Sequence, residues 1–394
     1  MSLLSQKLHI LHLPSWYLPE GGQFCRNQVR ELNQHGIYAS VLANVTIPMR
    51  KYGIIRSLSF PKGYFLSHED DIDVFRNYHI SFPFFKKIDS HIWARKTLKM
   101  FGVYCEKYGK PDVIHAHSVL WGGYAAMLIK KKYGVPYVIT EHKGIFGMSC
   151  QWAEEQFITW QDAYMKEAFS NADMIIPVSK KQIPKISTFL ENDVPIQVVS
   201  NMVDTDYFHY KKRENVSDKI RAVMVNGFNH AKAYDILFPA ADIALSKNSK
   251  LTITIAGEDF FGEKFEQLLS KVKNKDRIIF LGELEHPNVR DALWSADFYI
   301  ISSRVEAQPV STLEALSTGL PVVCTEVVPK QITNESNSIR VPVENVEALS
   351  EGILEMSERY KEFDGEKIAE NVKKIADRRV VAKELIEVYN TIIK

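Results

Sequence analysis

The chain alternates short apolar runs with segments in which apolar residues recur every three or four positions. Residues 8–13, 221–226 and 251–256 have the length and apolar content of buried strands, and each is followed by turn residues and then by a helical pattern. Such an alternation predicts parallel β-sheets that are covered by helices. The charged stretch at residues 211–219 interrupts it and indicates a boundary between two domains.

A strand, a loop, a helix and a second strand are predicted within residues 298–325. Pro309 suits the first turn of the helix, and Gly319 suits its end. Glu306 lies in the loop and Glu314 lies on the helix. Because free N–H groups at a helix N-terminus favour an anion, and a carboxylate accepts hydrogen bonds from hydroxyl groups, the unit suits a ligand with phosphate and sugar hydroxyls. A solvated loop glutamate and a helix-forming glutamate would have the same spacing.

Glycines close the loop after the first predicted strand. Residues 14–22 are rich in turn-forming residues and end with Gly21 and Gly22, and a helical pattern follows. Glycines at this position permit the backbone to approach a phosphate closely. The pattern is not G-x-G-x-x-G, and the chain has no Walker A pattern, so a dinucleotide fingerprint is absent. A tight turn without a ligand is the alternative.

Further candidates follow predicted strands. His117 comes after a strand at residues 113–115, at the strand end where α/β proteins bind ligands, and Glu141 and His142 follow the next strand in the same way. Lys232 lies in a loop between a predicted strand and a predicted helix of the second domain. A structural histidine and a solvated lysine are the alternatives.

The composition is that of an ordinary soluble protein. The 394 residues are 45% hydrophobic and 25% charged, and the formal net charge of +1 provides no field that favours nucleic acid. No apolar run reaches the roughly 20 residues that a spanning helix needs, and the N-terminus lacks a signal-peptide pattern. The cysteines form no metal-binding spacing, so we expect reduced thiols, a cytoplasmic location and no metal site. They are Cys25, Cys105, Cys150 and Cys324.

Residues 48–102 show only a weak alternation of strand and helix, and they mix aromatic residues with lysines and arginines. One interpretation is an insertion in the first domain that contacts a membrane surface. The alternative, which we favour because scattered aromatic residues usually pack inward, is an irregular subdomain with an aromatic core. The aromatic residues are Phe60, Phe65, Phe82, Phe84, Phe85 and Trp93.

The run at residues 306–323 resembles the E-x7-E signature of glycosyltransferase family 4, whose members are retaining, nucleotide-sugar-dependent enzymes of the GT-B fold. It shares both glutamates, the Gln308-Pro309 pair, and the G-L-P-V-V sequence at residues 319–323. Two glutamates at this spacing would be a weak signal, but the whole run is specific.

Other segments extend the resemblance and also depart from it. The loop at residues 14–22 is similar to the family's first βα loop, in a branch that reads S-W-Y-x-x-P-x-x-G, and the segment that ends at His117 resembles a D-x-x-H-x-H strand end. The family neutralises the donor diphosphate with an arginine and a lysine. Lys232 matches the lysine, but Phe228 stands where the arginine is expected, and Arg304 or His230 could supply the missing charge.

The resemblance implies the α/β class and the GT-B fold, in which two Rossmann-like parallel-sheet domains face each other across a cleft. We assign residues 1–205 to an acceptor-side domain, residues 206–378 to a nucleotide-sugar-binding domain, and residues 379–394 to a helix that packs back on the first domain. The implied reaction moves a sugar from a nucleoside diphosphate sugar to a hydroxyl group of a saccharide or lipid-linked acceptor, in polysaccharide or glycolipid synthesis. No metal or cofactor is implied, and the expected location is the cytoplasm or its membrane face.

The resemblance also implies roles for the candidate residues. Lys232 and the helix N-terminus at residues 309–311 stabilise the departing diphosphate, Glu314 accepts hydrogen bonds from the ribose, and Glu306 and His117 hold the transferred sugar. The donor-binding set comprises Gly21, Gly22, Gly227, Glu258, Gln308, Pro309, Val310, Ser311 and Glu314.

There are two kinds of alternative, a different GT-B enzyme and a non-catalytic protein. A GT-B epimerase would need additional acid/base carboxylates, and a phosphorylase would need a pyridoxal-bearing lysine; the sequence has a motif for neither. A non-catalytic sugar-nucleotide-binding partner of a polysaccharide complex is the alternative from another class, because Phe228 replaces the expected arginine.

Overall fold

A computed structural model describes residues 7–19, 21–81, 85–147, 155, 157–213 and 218–393. Three residues considered above, Phe82, Phe84 and Cys150, lie outside the described residues. The chain divides into two compact units. The first comprises Met1–Lys143, Glu154–Met202 and Arg379–Lys394, and the second comprises Gly144–Ala153 and Val203–Arg378.

A seven-stranded sheet forms the centre of the first unit. Its strands are β1 (His9–Pro14), β2 (Tyr38–Pro48), β3 (Phe65–Glu69), β4 (Ile72–Ser81), β5 (Val113–His117), β6 (Tyr137–Glu141) and β7 (Met174–Pro177). They lie in the order β3-β4-β2-β1-β5-β6-β7, and only β3 and β4 pair antiparallel. The helices are α1 (Gln23–Gln34), α2 (Met49–Leu58), α3 (Lys86–Tyr108), α4 (Tyr124–Tyr133), α5 (Thr159–Ser170) and α6 (Ile183–Ser187).

A parallel six-stranded sheet forms the centre of the second unit. Its strands are β8 (Ile220–Val225), β9 (Leu251–Ala256), β10 (Ile278–Gly282), β11 (Phe298–Ile301), β12 (Val322–Thr325) and β13 (Ser338–Val341), in the order β10-β9-β8-β11-β12-β13. The helices are α7 (Tyr234–Lys247), α8 (Glu263–Leu269), α9 (His286–Trp294), α10 (Val310–Ser317), α11 (Val346–Arg359) and α12 (Gly365–Ala376).

The last helix, α13 (Arg378–Ile393), packs on the core of the first unit. Val381, Leu385 and Val388 recur at helical spacing and are buried in the same apolar cluster as Val29 and Leu32 of α1. Burying one apolar side chain of this size stabilises a fold by about 1.5–3 kcal/mol, so this face holds the terminal helix in place.

The expectation of an irregular subdomain at residues 48–102 is wrong, because this segment contains α2, β3, β4 and most of α3. Buried polar residues hid the strand pattern of β4. Arg76 is buried, and its hydrogen bonds to Leu18 O (2.6 Å) and to Glu69 (2.6 Å) compensate the loss of water. His79 is also buried, with its ring beside the carboxylate of Asp89. Of the aromatic residues, Trp93 is buried as expected, whereas Phe85 is exposed.

None of the helices within the described residues combines the length and the apolar content that crossing a bilayer requires.

Candidate active site

The loop and helix that carry both candidate glutamates begin at the carboxyl end of β11. Pro309 has an extended backbone (φ −71°, ψ 121°) and caps α10. Thr312 and Leu313 donate their N–H groups to Pro309 O, so the preceding amides of Val310 and Ser311 point out of the helix end. This is the arrangement that binds an anion at a helix N-terminus.

The end of α10 depends on a glycine. Gly319 has a φ of +82°, and a Cβ at this position would lie 2.6 Å from Gly365 O and 2.6 Å from the ring of Tyr210. Only a glycine avoids both the backbone strain and this clash. The close approach fixes α10 against the start of α12.

Glu306 and Lys232 form an ion pair within the second unit. Lys232 Nζ lies 2.6 Å from Glu306 Oε1, and the Ser303 hydroxyl donates to the same oxygen at 2.7 Å. Both charged side chains are largely buried, so the interaction is screened less than a surface pair. The structure thus brings together two residues that the sequence separates by more than seventy positions. Glu306 precedes Val310, the first residue of α10, by four positions.

Glu314 lies on α10 in a water-poor environment. Burial raises the pKa of its carboxyl group to about 8, so the group is mostly neutral at pH 7. Nε2 of the exposed His286 lies 3.8 Å from Glu314 Oε1. A buried acid of this kind can exchange hydrogen bonds with hydroxyl groups of a ligand.

Arg304 does not supply the charge that is missing at Phe228. Its guanidinium group donates to both carboxylate oxygens of Asp235 (2.9 and 2.6 Å), to Glu344 (2.6 Å) and to His230 O (2.9 Å). Two carboxylates neutralise it, so its role is to fix the loop that carries Lys232.

Phe228 itself belongs to an aromatic cluster. Its ring packs against Tyr234 at 5.2 Å and edge-on against Phe265 at 5.3 Å, between ring centroids. The phenylalanine therefore adds to the apolar core under α7 and α8 and carries no charge to this loop.

A cavity of about 390 Å³ opens at the carboxyl ends of β8 and β9, and Gly227 and Glu258 line it. Tyr299 connects this cavity to α10, because its hydroxyl donates to Ser311 Oγ at 2.9 Å and lies 3.4 Å from Asn226 Nδ2, another lining residue. Gln308 is buried beside Pro309 and Val310 in the loop before the helix.

In the first unit, the glycine loop precedes α1. Gly21 and Gly22 have φ values of +97° and +88°, and a Cβ on Gly22 would lie 2.8 Å from Trp16 O. A tight turn alone accounts for both glycines, and the backbone geometry leaves a ligand role open.

His117 is the last residue of β5 and not a residue beyond it, and it is fully buried. Its Nε2 lies 2.9 Å from His12 Nδ1, and its Nδ1 lies 3.1 Å from His142 Nε2. Both ring nitrogens are therefore occupied by other imidazoles. The strand register explains the cluster, because His12 on β1 pairs with His115 on β5, two residues before His117 on the same face.

The histidine cluster is neutral. Burial lowers the pKa of His12 and His142 to about 3, and it lowers the pKa of His115 and His117 well below the usual range, with a smaller contribution from the neighbouring imidazoles. Sequence reasoning missed His12. The available signal was a histidine in the interior of an otherwise apolar strand.

Glu141 holds the loop after β5. It accepts hydrogen bonds from the Ser118 hydroxyl and from the amides of Val119 and Lys143, each at 2.9 Å. Burial raises the pKa of this carboxyl group, and these bonds oppose the shift. Glu141 therefore positions the backbone next to His117.

One group of side chains could hold a metal ion. Ligand atoms of His12, Cys25 and His117 lie within 4.8 Å of one another. The cysteine spacing did not reveal this group because its members come from different elements. Burial raises the pKa of the Cys25 thiol, which opposes the thiolate that a metal needs.

Two family profiles cover nearly the whole chain. "Glycosyltransferase Family 4" matches residues 21–207, and "Glycosyl transferases group 1" matches residues 207–376. TuaC of Bacillus subtilis, a glycosyltransferase provisionally assigned to teichuronic acid biosynthesis, is 24% identical over 97% of each chain. The phosphatidylinositol N-acetylglucosaminyltransferase GPI3 subunit of Saccharomyces cerevisiae is 26% identical over 71% of this chain and 63% of that protein.

Solved structures share the fold. Sucrose-phosphate synthase from Thermosynechococcus elongatus superposes with a TM-score of 0.80 at 16% identity, over 98% of this chain and 99% of that one. Anabaena HepE in complex with UDP and glucose gives a TM-score of 0.73 at 15% identity, over 98% and 100%. Together with the two parallel-sheet units, these matches confirm the predicted fold class. The chain is a glycosyltransferase with the GT-B fold and belongs to the group 1 and family 4 type.

Proposed function

We propose that this glycosyltransferase moves a sugar from a nucleoside diphosphate sugar to a hydroxyl acceptor, with retention of anomeric configuration, in the synthesis of a cell-surface polysaccharide or glycolipid. The observation that carries the proposal is the buried Lys232–Glu306 ion pair just before the N-terminus of α10. A cation from one loop, a carboxylate from a second loop and outward-pointing amides at the end of that second loop match the charges of a departing diphosphate and of the sugar it leaves.

The two charges of the pair have different tasks. The donor diphosphate would draw the Lys232 ammonium group away from Glu306, and Lys232 and the amides of Val310 and Ser311 would then stabilise the charge on the leaving phosphate. The released Glu306 carboxylate would stabilise the positive charge that develops at the anomeric carbon. The bond from that carbon to the phosphate oxygen breaks, the bond to the acceptor oxygen forms on the same face, and the acceptor proton passes to the leaving phosphate.

Glu314 and the cavity would bind the nucleoside. The ribose hydroxyls would exchange hydrogen bonds with the Glu314 carboxyl group, and the base would occupy the cavity beside Gly227 and Glu258. Binding two hydroxyls compensates the cost of keeping this acid buried. Uridine diphosphate sugars are the first donors to test, because the similar HepE was solved with UDP and glucose.

His117 is the proposed contact to a hydroxyl group of the transferred sugar. Because both its ring nitrogens are bonded to imidazoles, it would exchange one of these hydrogen bonds for a sugar hydroxyl. Gly21 and Gly22 would let the backbone approach the donor.

We also propose that the reaction needs no metal, since Lys232 and the amides supply the neutralising groups, and that it takes place in the cytoplasm at the inner face of the membrane. Among the described residues, Cys25, Cys105 and Cys324 form no disulfide bond, which suits a reducing compartment.

A donor panel tests the proposed function. The protein should release free nucleoside diphosphate from one class of nucleotide sugar when an acceptor is present, and NMR of the product should show the anomeric configuration of the donor. Inversion would contradict the mechanism. Calorimetric binding of the nucleotide sugar without any turnover would instead assign the chain to the non-catalytic alternative, which the replacement of the family's arginine by Phe228 favours.

A further inference from the structure

Exposed apolar side chains cluster in one part of the first unit. Of the thirteen large hydrophobic residues that are exposed within the described part of the chain, six fall between residues 54 and 92, and their exposed fractions range from 43% to 89%. Isolated exposed apolar residues are ordinary, but a cluster marks an interaction surface. The six are Ile54, Ile55, Leu58, Phe85, Ile88 and Ile92.

The same two segments carry a concentrated positive charge. Residues 49–62 contain four lysines and arginines and no acidic residue, and residues 85–99 contain five and a single acid, Asp89, which is bonded to His79. All nine basic side chains are exposed. The whole chain has a net charge of only +1, so this charge is a local feature. We name residues 49–62 and 85–99 together the basic apolar edge.

Both segments leave the sheet at the same edge. Pro48, the last residue of β2, pairs with Ser81, the last residue of β4, and α2 follows the one strand while α3 follows the other. Since the strands are parallel, this is also the edge at which β1 ends beside His117 of β5.

Each helix is anchored by its inner side, which leaves its outer side uncovered. On α2, Tyr52 packs edge-on against Phe60, which packs against Tyr78 of β4. On α3, Trp93 donates to Asn44 O of β2 at 2.8 Å. On β4, Tyr78 packs against Phe60, two residues after α2, and the next residue, His79, lies 2.9 Å from Asp89 of α3. Because consecutive strand residues point to opposite faces, the two helices flank opposite faces of the sheet. The carboxyl-terminal edge of the sheet therefore has exposed apolar and basic side chains next to it on both faces.

We propose that the basic apolar edge docks this protein on a bilayer that contains anionic phospholipids. The exposed isoleucines, leucine and phenylalanine enter the boundary between headgroups and acyl chains, while the lysines and arginines keep their charges among the phosphate groups. A folded protein partner would need a complementary acidic surface, whereas an anionic bilayer supplies both the apolar layer and the charge.

The position of this surface narrows the acceptor class. The edge that docks is the edge on which His117 and the Gly21-Gly22 loop lie, so an acceptor anchored in the membrane by a lipid chain would present its hydroxyl group to this side of the first unit. This second step rests on the proposed glycosyltransferase reaction, but the docking itself does not.

Sedimentation with vesicles tests the docking. The full chain is mixed with vesicles of phosphatidylcholine, with or without phosphatidylglycerol. We expect binding to the anionic vesicles and much weaker binding to phosphatidylcholine alone. The double variant Lys86→Gln/Lys87→Gln should lose about five-fold in partitioning for each charge removed. The triple variant Ile54→Ser/Ile55→Ser/Leu58→Ser should lose about ten-fold or more. The control is Phe261→Ser, which removes an exposed apolar side chain from the second unit. This variant should bind the vesicles as the wild type does.

Thermal unfolding of the same variants separates docking from misfolding, and nucleoside diphosphate binding, measured by calorimetry, separates docking from the donor site. Both should be unchanged in all of the variants. The proposal would be overturned if the wild type did not bind anionic vesicles, or if the edge variants bound them as the wild type does. Neither result would affect the outcome of the donor panel. A loss of vesicle binding in Phe261→Ser equal to that of the triple variant would overturn the proposal as well.

Discussion

Lowering the pH from about 7.5 to about 5.5 should destabilise the first unit through its buried histidines. His12, His115 and His117 are buried next to one another, and the partly buried His142 contacts His117. Burial lowers the pKa of each below the unfolded value near 6.5. The unfolded chain therefore binds more protons than the folded chain in this range. Stability is fully present above about pH 6.5, falls as the pH drops below it, and continues to fall towards the folded pKa of about 3.

The magnitude follows from the two pKa values. Consider a histidine with a pKa of 6.5 in the unfolded chain and about 3 in the folded chain. Lowering the pH from about 7.5 to about 5.5 reduces its contribution to the free energy of unfolding by about 1.4 kcal/mol. His12 and His142 together contribute about 3 kcal/mol. His115 and His117, whose pKa values are also lowered by burial, change the stability in the same direction. A loss of this size is a large fraction of the free energy of unfolding of a domain.

Urea unfolding at both pH values measures the effect. His12→Gln keeps a polar partner for His117 and should reduce the pH-dependent loss by about 1.4 kcal/mol, whatever it does to the stability at high pH. His68→Gln is the control, because His68 is exposed and its pair with Asp73 lies at the surface. Identical pH dependence in the wild type and in His12→Gln would refute the assignment of a neutral buried imidazole.

Other expectations concern the second unit. Lys232→Ala should weaken nucleoside diphosphate binding by about ten-fold or more and leave nucleoside binding nearly unchanged, because the ammonium group meets only phosphate; calorimetry that finds equal losses would count against this role. Activity should survive EDTA, and a strict need for Mg²⁺ or Mn²⁺ would contradict the assignment of the diphosphate to Lys232 and backbone amides. Gly319→Ala should lower the free energy of unfolding by about 1 kcal/mol more than Gly282→Ala does. Both glycines have a positive φ, but only at position 319 would the added Cβ meet another backbone segment. Equal losses in thermal unfolding would show that this contact does not matter.

Much of the second unit could be predicted from its sequence. The strands at Leu251–Ala256 and Phe298–Ile301 are apolar runs bounded by turn residues, and α10 lies between a proline and a glycine that mark its ends. Local pattern and tertiary structure agree there because these strands are buried among helices and carry few polar residues.

The first unit was harder to predict because its buried residues include many polar ones. On β4, Arg76 and His79 are buried through side-chain bonds that no periodicity reveals. The same holds for His12, which meets His117 only through the strand register. In the second unit it holds for Arg304, whose two carboxylate partners are distant in sequence. Long-range pairing of polar groups determines these positions, and it leaves little trace in the local sequence.

The most direct test of the account compares nucleoside diphosphate release by the wild type and by Glu306→Gln, with the same donor and acceptor. Glu306 accepts from Lys232 and Ser303, so glutamine keeps the shape and the acceptor oxygen while it removes the charge. The account predicts that the variant keeps its fold and its affinity for nucleoside diphosphate but loses roughly 10²–10³ in turnover, the usual cost of removing one preorganised charge. Turnover within a few-fold of the wild type would contradict the assignment of Glu306 to the transferred sugar.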